Sequence, residues 1–309
     1  MKALLVIRTP FQAWLAQKVL EKEQINIFDV VYFTQNDSEE DRHYYSQLSK
    51  NSNRSDYIFV RPQRFDILSH FVFRLKAHKW YQKENYDFVM YGSINALVPN
   101  SLISKHKYAK LITFDDGAAN IVNNGIFYSD LSSNRSKIYR LAIGAVSLNT
   151  IKRRISYHYT MYKDYGNIVE KEKLRYIDYF EKSKYKKSET TKTYFIASPF
   201  EEVMSQEQIK RLEIYSKDLK IDFYVTHPRE RNILNLGTEI LDKKGKIAEE
   251  AIIADAQDAS IVLVGWFSSV MLNIGPLCKE CIVLLPKDSI QTPKIFELSK
   301  NSGLTPVLI

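Results

Sequence analysis

The chain has 309 residues, of which 45% are hydrophobic and 26% are charged, with a formal net charge of +8 and a pI of about 9.1. This composition is ordinary for a globular enzyme with one large or two medium domains. No apolar stretch reaches the roughly 18 residues that a membrane span needs, which excludes a helical membrane protein. The first apolar run stops at Arg8 and Pro10 and is too short for a signal peptide, so we expect a cytoplasmic location.

Strand-like and helix-like segments alternate in the first half of the sequence. Thr9 is a predicted N-cap, with Pro10 at the first position of the helix that follows. Continuous apolar strands separated by helices indicate a parallel sheet that is covered on both faces. The predicted strands cover residues 2–8, 28–34, 56–62, 86–93 and 109–117.

The same alternation returns in the second half, after a basic stretch with no clear strand. Ser205 and Gln208 form a predicted capping box at the start of a helix. The predicted strands cover residues 192–198, 221–228 and 281–286, and residues 260–275 are predicted to form a strand, a turn and a helix. We therefore predict an α/β protein with an N-terminal Rossmann-like domain at 1–155, a basic helical linker at 156–190 and a C-terminal Rossmann-like domain at 191–309, with a cleft between the two domains.

Positive charge is concentrated between residues 151 and 190, which are rich in Lys, Arg and Tyr. A basic surface favours anionic partners such as nucleic acid, anionic lipid headgroups or phosphorylated substrates. The simpler alternative is a solvated, lysine-rich helix face. Charge alone does not decide between these interpretations.

The fifth predicted strand ends in two acids and a glycine: Asp115, Asp116 and Gly117. Ligands of open parallel sheets bind outside the carboxyl ends of the strands. A carboxylate at this position is a candidate general base, a cap for a following helix, or a metal ligand. Adjacent residues of an extended chain point to opposite faces, which argues against both acids binding one ion. Gly117 allows a sharp turn with a positive φ angle.

Polar residues also follow three predicted strands of the second half. His227, with Pro228 and Arg229 after it, is a candidate for binding a phosphate or protonating a leaving group. The alternative is a surface histidine at a turn. Ser268 and Ser269 begin a helix, where free amide groups bind phosphate, or Ser268 is simply an N-cap.

The remaining strand end carries Ser198, followed by Glu201 and Glu202. These glutamates are candidates for contacting an acceptor hydroxyl, and helix capping is the simpler alternative. Cys278 and Cys281 form a C-x-x-C pair, but no second pair or paired histidines complete a metal site. We therefore predict no bound metal.

Taken together, FDDGAAN, THPRE and WFSSV resemble the three short motifs of bacterial sialyltransferases: acid-acid-glycine, His-Pro and paired Ser/Thr. The opening RTPFQAWLAQK resembles the T-P-[FY]-Q start of glycosyltransferase family 52. That family includes lipooligosaccharide α-2,3-sialyltransferases and related capsule enzymes. The resemblance extends from Arg8 to about Asn273, and the order and spacing of the motifs make it more specific than any one motif.

The resemblance implies a GT-B-like architecture, with two Rossmann-like domains facing across a cleft. It implies an inverting, metal-independent transfer of sialic acid from CMP-sialic acid to a terminal galactose of a lipooligosaccharide or capsule glycan, in α-2,3 linkage. His227 would contact the donor phosphate and assist the departure of CMP, while Ser268 and Ser269 would hold that phosphate.

The resemblance leaves the general base open. An acid of the pair Asp115 and Asp116 would be the base or orient the acceptor, or Glu201 or Glu202 would be the base instead. Glu249 or Glu250 would bind the cytidine ribose. The other motif residues are predicted substrate contacts: Thr9, Gln12, Gly117, Ser198, Pro228 and Arg229.

The predicted partners are the CMP-sialic acid donor and the galactose-terminated acceptor, and no cofactor is expected. The basic region is expected to face anionic membrane lipid or the phosphorylated core of an acceptor, with peripheral location at the cytoplasmic membrane. The prediction allows a homodimer and excludes nucleic acid as a partner. Two alternatives are a GT-B transferase that uses another nucleotide sugar and a non-catalytic polyanion-binding protein, which predicts salt-dependent nucleic-acid binding.

Overall fold

The computed structural model describes residues 1–60, 67–122, 125–130, 133–163, 165–180 and 188–309. The chain divides into two compact units, Met1–Tyr179 and Phe180–Ile309. Each unit is built on one sheet, and every strand pairing in both sheets is parallel. We call them the N-terminal unit and the C-terminal unit.

The sheet of the N-terminal unit has seven strands: β1 (Lys2–Ile7), β2 (Ile27–Thr34), β3 (Arg54–Phe59), β4 (Phe88–Tyr91), β5 (Lys110–Phe114), β6 (Ile155–Thr160) and β7 (Leu174–Tyr176). Their order in space is β3-β2-β1-β4-β5-β6-β7. Five consecutive residues of the central strand β1, 3–7, are fully buried. This is the burial pattern of a parallel strand that is covered on both faces. Such strands have continuous apolar runs, so they could be predicted from the sequence.

The helices of the N-terminal unit are α1 (Pro10–Glu23), α2 (Glu39–Asn51), α3 (Ile67–Phe73), α4 (Lys79–Tyr81), α5 (Leu97–Ile103), α6 (Asn134–Ala142) and α7 (Leu148–Arg154), with a π-helical segment, Arg74–His78, between α3 and α4. The predicted cap of α1 is confirmed. Thr9 has an extended backbone, its Oγ1 accepts a hydrogen bond from the backbone N–H of Gln12 at 3.2 Å, and Pro10 begins the helix.

The prediction of a helical linker at 156–190 is wrong for β6 and β7, which complete the first sheet. The sequence of β6, ISYHYT, is made of aromatic and β-branched residues that suit a strand, and the surrounding lysines and arginines concealed it. Strand β7 is a short edge strand with exposed Arg175 and Tyr176, so it lacks the apolar run of a central strand. The part of the predicted linker at 181–187 lies outside the described residues.

The C-terminal unit has six strands: β8 (Thr191–Ile196), β9 (Phe223–Val225), β10 (Glu239–Ile240), β11 (Ser260–Gly265), β12 (Glu280–Leu285) and β13 (Thr305–Leu308). Their order is β10-β9-β8-β11-β12-β13. The helices are α8 (Phe200–Val203), α9 (Gln206–Lys217), α10 (Ala248–Ala256), α11 (Ser269–Ile274) and α12 (Thr292–Asn301). The predicted capping box of α9, between Ser205 and Gln208, is present in both directions.

The predicted fold class, α/β with two Rossmann-like domains, is confirmed. Parallel strands place their carboxyl ends at one edge of each sheet, and the loops at that edge carry the polar motifs. Among the helices that the structure describes, none has the length and apolar character to cross a membrane. The predicted cleft between the domains stays a prediction.

Candidate active site

The two acids after β5 have separate environments, although they are neighbours in sequence. The side chain of Asp115 is fully buried, whereas Asp116 is only partly buried. Asp115 turns inward toward β6, and Asp116 turns toward the loop after β4. Adjacent side chains of extended chain point to opposite faces, so the two carboxylates do not share one site.

The carboxylate of Asp115 joins the ends of β5 and β6. Its Oδ1 lies 3.1 Å from Nε2 of His158, and its Oδ2 accepts a hydrogen bond from the backbone N–H of Met161 at 2.9 Å. The other ring nitrogen of His158, Nδ1, lies 2.8 Å from Oγ1 of Thr113. Asp115, His158 and Thr113 are all 0% exposed. A carboxylate enclosed in this way cannot reach a substrate hydroxyl, so Asp115 holds the loop in place.

Asp116 is held from the other side by a chain of hydrogen bonds. The Ser93 hydroxyl donates to Oδ2 of Asp116 at 2.9 Å, and Nε2 of Gln12 donates to Oγ of Ser93 at 2.6 Å. Oε1 of Gln12 accepts from the backbone N–H of Arg8 at 3.1 Å. Gln12 is fully buried, so this predicted substrate contact acts through Ser93 rather than by touching a ligand. A side chain at Gly92 would collide with Gln12 at 2.8 Å, so the glycine makes room for this link.

Gly117 turns the chain after Asp116 with a φ angle of 61°, in the left-handed region that the sequence analysis expected. Residues 118–122 are not helical: Ala118 forms an isolated bridge with Asp116, and turn residues follow it. The backbone N–H of Asp116 instead donates to Oδ1 of Asn120 at 2.6 Å. With no helix to cap over these residues, the capping interpretation loses its basis. Asp116 is the acid of the pair that remains for substrate contact.

In the C-terminal unit, the predicted donor-site residues follow three adjacent strands. Ser198 follows β8, His227 follows β9, and Ser268 follows β11. Strand β8 lies between the other two, and neighbouring strands are about 4.8 Å apart, so these strand ends are neighbours. Gly265 permits this packing, because a side chain there would lie 2.4 Å from the carbonyl oxygen of Ile196.

His227 is neutral at physiological pH. Burial, together with the charges of Arg229 and Lys243, lowers its pKa from 6.5 to about 4. Its Nδ1 accepts a hydrogen bond from the backbone N–H of Arg229 at 3.1 Å, which leaves the proton of the neutral ring on Nε2. His227 therefore offers an N–H donor to an anionic ligand.

Two cations and a carboxylate surround this histidine. Lys243 donates from Nζ to the carbonyl of Thr226 at 3.2 Å, next to His227. Arg229 is exposed and forms an ion pair with Glu202 at 2.8 Å, and Pro228 before it is also exposed. The backbone N–H of His227 donates to Glu230. Lys243 is a residue that the sequence analysis missed, although its loop follows the edge strand β10 beside β9.

Glu201 and Glu202 begin the short helix α8, on the loop that starts at the buried Ser198. Oε1 of Glu201 accepts from Nδ2 of Asn232 at 2.7 Å. Its own backbone N–H, Asn232 and the charge of Arg231 lower the pKa of Glu201, which makes it a weaker base. Both glutamates are thus held by residues of the loop that carries His227.

Ser268 is the N-cap of α11, and its Oγ accepts from the backbone N–H of Met271 at 3.5 Å. Both Ser268 and Ser269 are partly exposed, which leaves their hydroxyls accessible. The simpler capping interpretation is thus correct for Ser268. It is compatible with the phosphate prediction, because a hydroxyl that accepts from the helix can donate to a ligand.

Glu249 and Glu250 both lie in the first turn of α10, but only one reaches the surface. Glu249 is buried, and its Oε1 accepts from Nδ2 of Asn273 in α11 at 2.7 Å. Burial raises its pKa, although the bond from Asn273 opposes the shift. Glu249 therefore ties α10 to α11, and the partly exposed Glu250 is the member of the pair that is accessible to a ribose.

No group of three or more His, Cys, Asp or Glu side chains is placed to hold a metal ion anywhere in the described part of the chain. Two further residues that hold the acids, Ser93 and His158, were not predicted from the sequence. Ser93 stands in the polar stretch GSIN after β4, which is adjacent to β5, and this is the signal that could have identified it. His158 was missed because β6 was missed.

The sequence matches the model of Glycosyltransferase family 52 over residues 26–285, most of the chain. The chain belongs to glycosyltransferase family 52. The predicted family and the predicted glycosyltransferase activity are therefore confirmed. The motifs that carried the resemblance after residue 26 all fall inside the matched region.

Two relatives show which branch of family 52 the chain resembles. The CMP-N-acetylneuraminate:beta-galactoside alpha-2,3-sialyltransferase of Pasteurella multocida is 25% identical over 278 residues, which cover 88% of this chain and 86% of the relative. The N-acetyllactosaminide alpha-2,3-sialyltransferase of Haemophilus influenzae is 25% identical over 274 residues, which cover 88% of each chain. Both names support the predicted sialyltransferase activity.

A solved structure of similar fold is the UDP-GlcNAc 2-epimerase from Neisseria meningitidis bound to UDP-GlcNAc, with a TM-score of 0.56. The match covers 96% of this chain and 85% of the epimerase at 12% sequence identity. At that identity the likeness concerns the fold alone, and it agrees with the predicted GT-B-like pair of Rossmann-like domains.

Proposed function

We propose that this protein is an inverting, metal-independent sialyltransferase that moves sialic acid from CMP-sialic acid to a terminal galactose of a lipooligosaccharide or capsule glycan, in α-2,3 linkage. The observation that carries the proposal is the donor edge of the C-terminal unit, in a chain of family 52. There, neutral His227 lies beside Arg229 and Lys243, and two accessible serine hydroxyls follow a nearby strand.

The donor edge suits a leaving group that departs with a phosphate charge. Sialyl transfer passes through an oxocarbenium-like centre, and CMP leaves as negative charge develops on its phosphate. The Nε2–H of His227 and the hydroxyls of Ser268 and Ser269 donate hydrogen bonds to that phosphate, while Arg229 and Lys243 supply positive charge. The proton stays on the ring, and the neutral imidazole assists departure as a hydrogen-bond donor to the phosphate on which charge develops.

Asp116 binds the acceptor hydroxyl in this proposal. Its Oδ2 is occupied by Ser93, and the structure describes no residue that hydrogen-bonds to its Oδ1. That oxygen is free to accept the proton of the attacking galactose hydroxyl. The competing bases already have partners, since Glu201 accepts from Asn232 and Glu202 pairs with Arg229. The lowered pKa of Glu201 also makes it a weaker proton acceptor.

Metal independence follows from the same assignment. Hydrogen-bond donors and cations aimed at the phosphate replace the divalent ion that other transferases need. Asp115 and Asp116 bond to different partners, which supports separate roles rather than shared ligation. EDTA is therefore expected to leave the rate unchanged, and a large loss of rate would revive metal binding.

We also propose peripheral contact with an anionic lipid surface. Helix α6 exposes Ile138 and Leu141, which lie three residues apart on one face, and Arg135 precedes Ile138 by three residues. Exposed apolar side chains next to basic ones are typical of helices that lie in a membrane interface. Sedimentation with phosphatidylglycerol vesicles, compared with neutral vesicles, tests this contact. Equal binding of wild type and Ile138→Glu/Leu141→Glu would contradict it.

The central test is incubation with CMP-sialic acid and lactose. We expect release of CMP together with sialyllactose, and we expect a sialidase specific for α-2,3 linkages to remove the sialic acid. Calorimetry with CMP, UDP and GDP separates this donor from other nucleotide sugars, since only CMP is expected to bind tightly. The proposal would be contradicted if the folded protein gave no sialyllactose and bound UDP or GDP more tightly than CMP.

A further inference from the structure

A cavity of about 340 Å³ opens in the N-terminal unit close to Asp116. It lies among the loop after β4, the start of α5, the segment 125–130 and helix α6. Its polar lining consists mainly of Asn95, Asn100, Ser129, Asp130, Ser136 and Arg140. None of these residues belongs to the predicted motifs or to the hydrogen bonds that hold the two acids.

Asn100 lines the cavity with a side chain that the fold holds in place. The residue is 2% exposed, and its Nδ2 donates to the carbonyl of Ile94 at 2.8 Å. This bond joins α5 to the loop after β4, so the wall of the cavity on that side is fixed before a ligand binds.

The charges at the cavity cancel each other. Arg140 forms an ion pair with Asp130 at 2.9 Å, and both side chains are mostly buried. A paired guanidinium and carboxylate offer hydrogen bonds without a net charge, which favours a neutral ligand over an anion. Serine hydroxyls and amides supply further donors and acceptors, and the side chains of Ile94 and Ile126 supply apolar contact. This mixture matches the hydroxyls and CH face of a sugar ring.

The chain places the cavity next to the acceptor hydroxyl of the proposed reaction. Ser93 donates to Asp116, and the next two residues, Ile94 and Asn95, line the cavity. Consecutive Cα atoms are 3.8 Å apart, so the cavity begins within about one sugar length of Asp116. A glycan whose terminal galactose lies at Asp116 therefore reaches the cavity with its next sugar.

We propose that this cavity is an acceptor subsite, which binds the neutral sugar that precedes the terminal galactose of the acceptor glycan. This inference rests on the proposed sialyl transfer and adds a determinant of acceptor choice to it. Asn95 and Ser129 contact the hydroxyls of that sugar. Acceptors of one sugar leave the cavity unfilled.

The test compares two acceptors, methyl β-galactoside and lactose, in Ser129→Trp. Ser129 is exposed at the cavity, so a tryptophan there fills space without disturbing the core. We expect KM for lactose to rise about tenfold, the effect of losing one or two good hydrogen bonds. We expect KM for methyl β-galactoside and the rate of CMP-sialic acid hydrolysis to stay unchanged. Ser46→Trp, at an exposed serine of α2, is the matched control.

Asn95→Ala is a second test variant, in which a polar group of the cavity is removed and the cavity is not filled. We expect a smaller rise in KM for lactose, again with no change for methyl β-galactoside. Equal changes for both acceptors, or none for either in Ser129→Trp, would overturn the subsite. If wild type transferred sialic acid to neither acceptor while remaining folded, the proposed function would fail instead, so the two failures are distinguishable.

Discussion

The strand ends of the two units carry similar polar residues in dissimilar surroundings. In the N-terminal unit, Asp115 and Gln12 are fully buried, and each is bound on both of its polar ends. In the C-terminal unit, His227, Ser268 and Ser269 are partly exposed, and the hydrogen bonds of His227 and Ser268 go to groups two or three residues away. The first edge is held rigid by long-range side-chain bonds, whereas the second is electropositive and accessible.

In the proposed reaction, this difference separates two kinds of contribution. Buried links at the N-terminal edge fix the position of one carboxylate, so changing them is expected to cost stability as well as activity. Accessible donors at the C-terminal edge are proposed to act on the leaving group, so changing them is expected to cost activity with little loss of stability. Substitutions at the two edges are therefore expected to differ in which quantity they change.

The largest effect is expected from His227→Ala. Loss of the Nε2–H donor removes the group that stabilises the departing phosphate, so kcat should fall about 100- to 1000-fold. The melting temperature should stay close to that of wild type, because His227 is partly exposed. Steady-state assays of CMP release measure the change, and His43→Ala, at a partly exposed histidine of α2, is the control. A kcat within threefold of wild type would remove His227 from the mechanism.

The sharpest contrast is expected within the N-terminal edge, between Asp116→Asn and Asp115→Ala. Asp116→Asn should lower kcat about 100-fold with a near-normal free energy of unfolding, since it removes only a proton acceptor. Asp115→Ala should lower the free energy of unfolding by about 3 kcal/mol, because it strands His158 and the Met161 N–H in the interior. Urea titration and initial rates measure both quantities.

Glu201→Gln and Glu202→Gln complete that comparison. Each should keep kcat within about fivefold of wild type, because a neutral amide preserves most of the loop contacts. If one of them lost activity as strongly as His227→Ala while Asp116→Asn stayed active, the base would belong to the C-terminal unit. Such a result would move the proton acceptor without affecting the assignment of the donor phosphate.

Features that depend on residues close together in the sequence could be predicted, whereas features that depend on distant residues could not. Strands such as β1 and β11 were predicted from their apolar runs. The caps at Thr9 and Ser205 were predicted from residues that lie within three positions of each cap. The strand-end motifs also stood out, because glycine and polar residues follow apolar runs. These features are local, so the fold class and the location of the motifs were predictable.

The division of labour between the two acids was not predictable. Asp115 meets His158, 43 residues later in a strand hidden by its basic surroundings, and Gln12 meets Ser93, 81 residues away. From the sequence alone, Gln12 was predicted to contact the substrate, and Asp115 and Asp116 were equally good candidates for the base. Only the pairing of β5 with β6 and of β1 with β4 shows which groups are buried.

A moderate effect is expected from Ser93→Ala. The substitution removes the hydroxyl that donates to Asp116, so the carboxylate loses both its orientation and a bond to its charged form. We expect kcat to fall about tenfold with a near-normal KM for CMP-sialic acid, because the carboxylate is no longer held toward the acceptor. A general loss of structure would instead lower the melting temperature and raise KM as well. Ser216→Ala, at a buried serine of α9 in the C-terminal unit, is the control.

The smallest effect concerns acid stability. Burial and a nearby Arg154 lower the pKa of His106 from 6.5 to about 4, and burial lowers that of His78 to about 4. Between these values the unfolded chain takes up protons that the folded chain refuses, so the free energy of unfolding falls as pH drops from about 6.5 to 4. Below pH 4 these histidines cause no further loss in the free energy of unfolding, and above pH 6.5 their contribution to it is constant.

His106→Phe tests this dependence within the N-terminal unit. The ring keeps its edge contact with Tyr86, and the substitution removes a buried Nε2 that has no hydrogen-bond partner. Urea titrations should show a gain in the free energy of unfolding that is larger at pH 5 than at pH 7.5, because only at pH 5 does wild-type unfolding take up a proton at this residue. The same gain at both pH values would mean that His106 titrates alike in the folded and unfolded chains, and the acid sensitivity of the unit would have to come from its buried carboxylates instead.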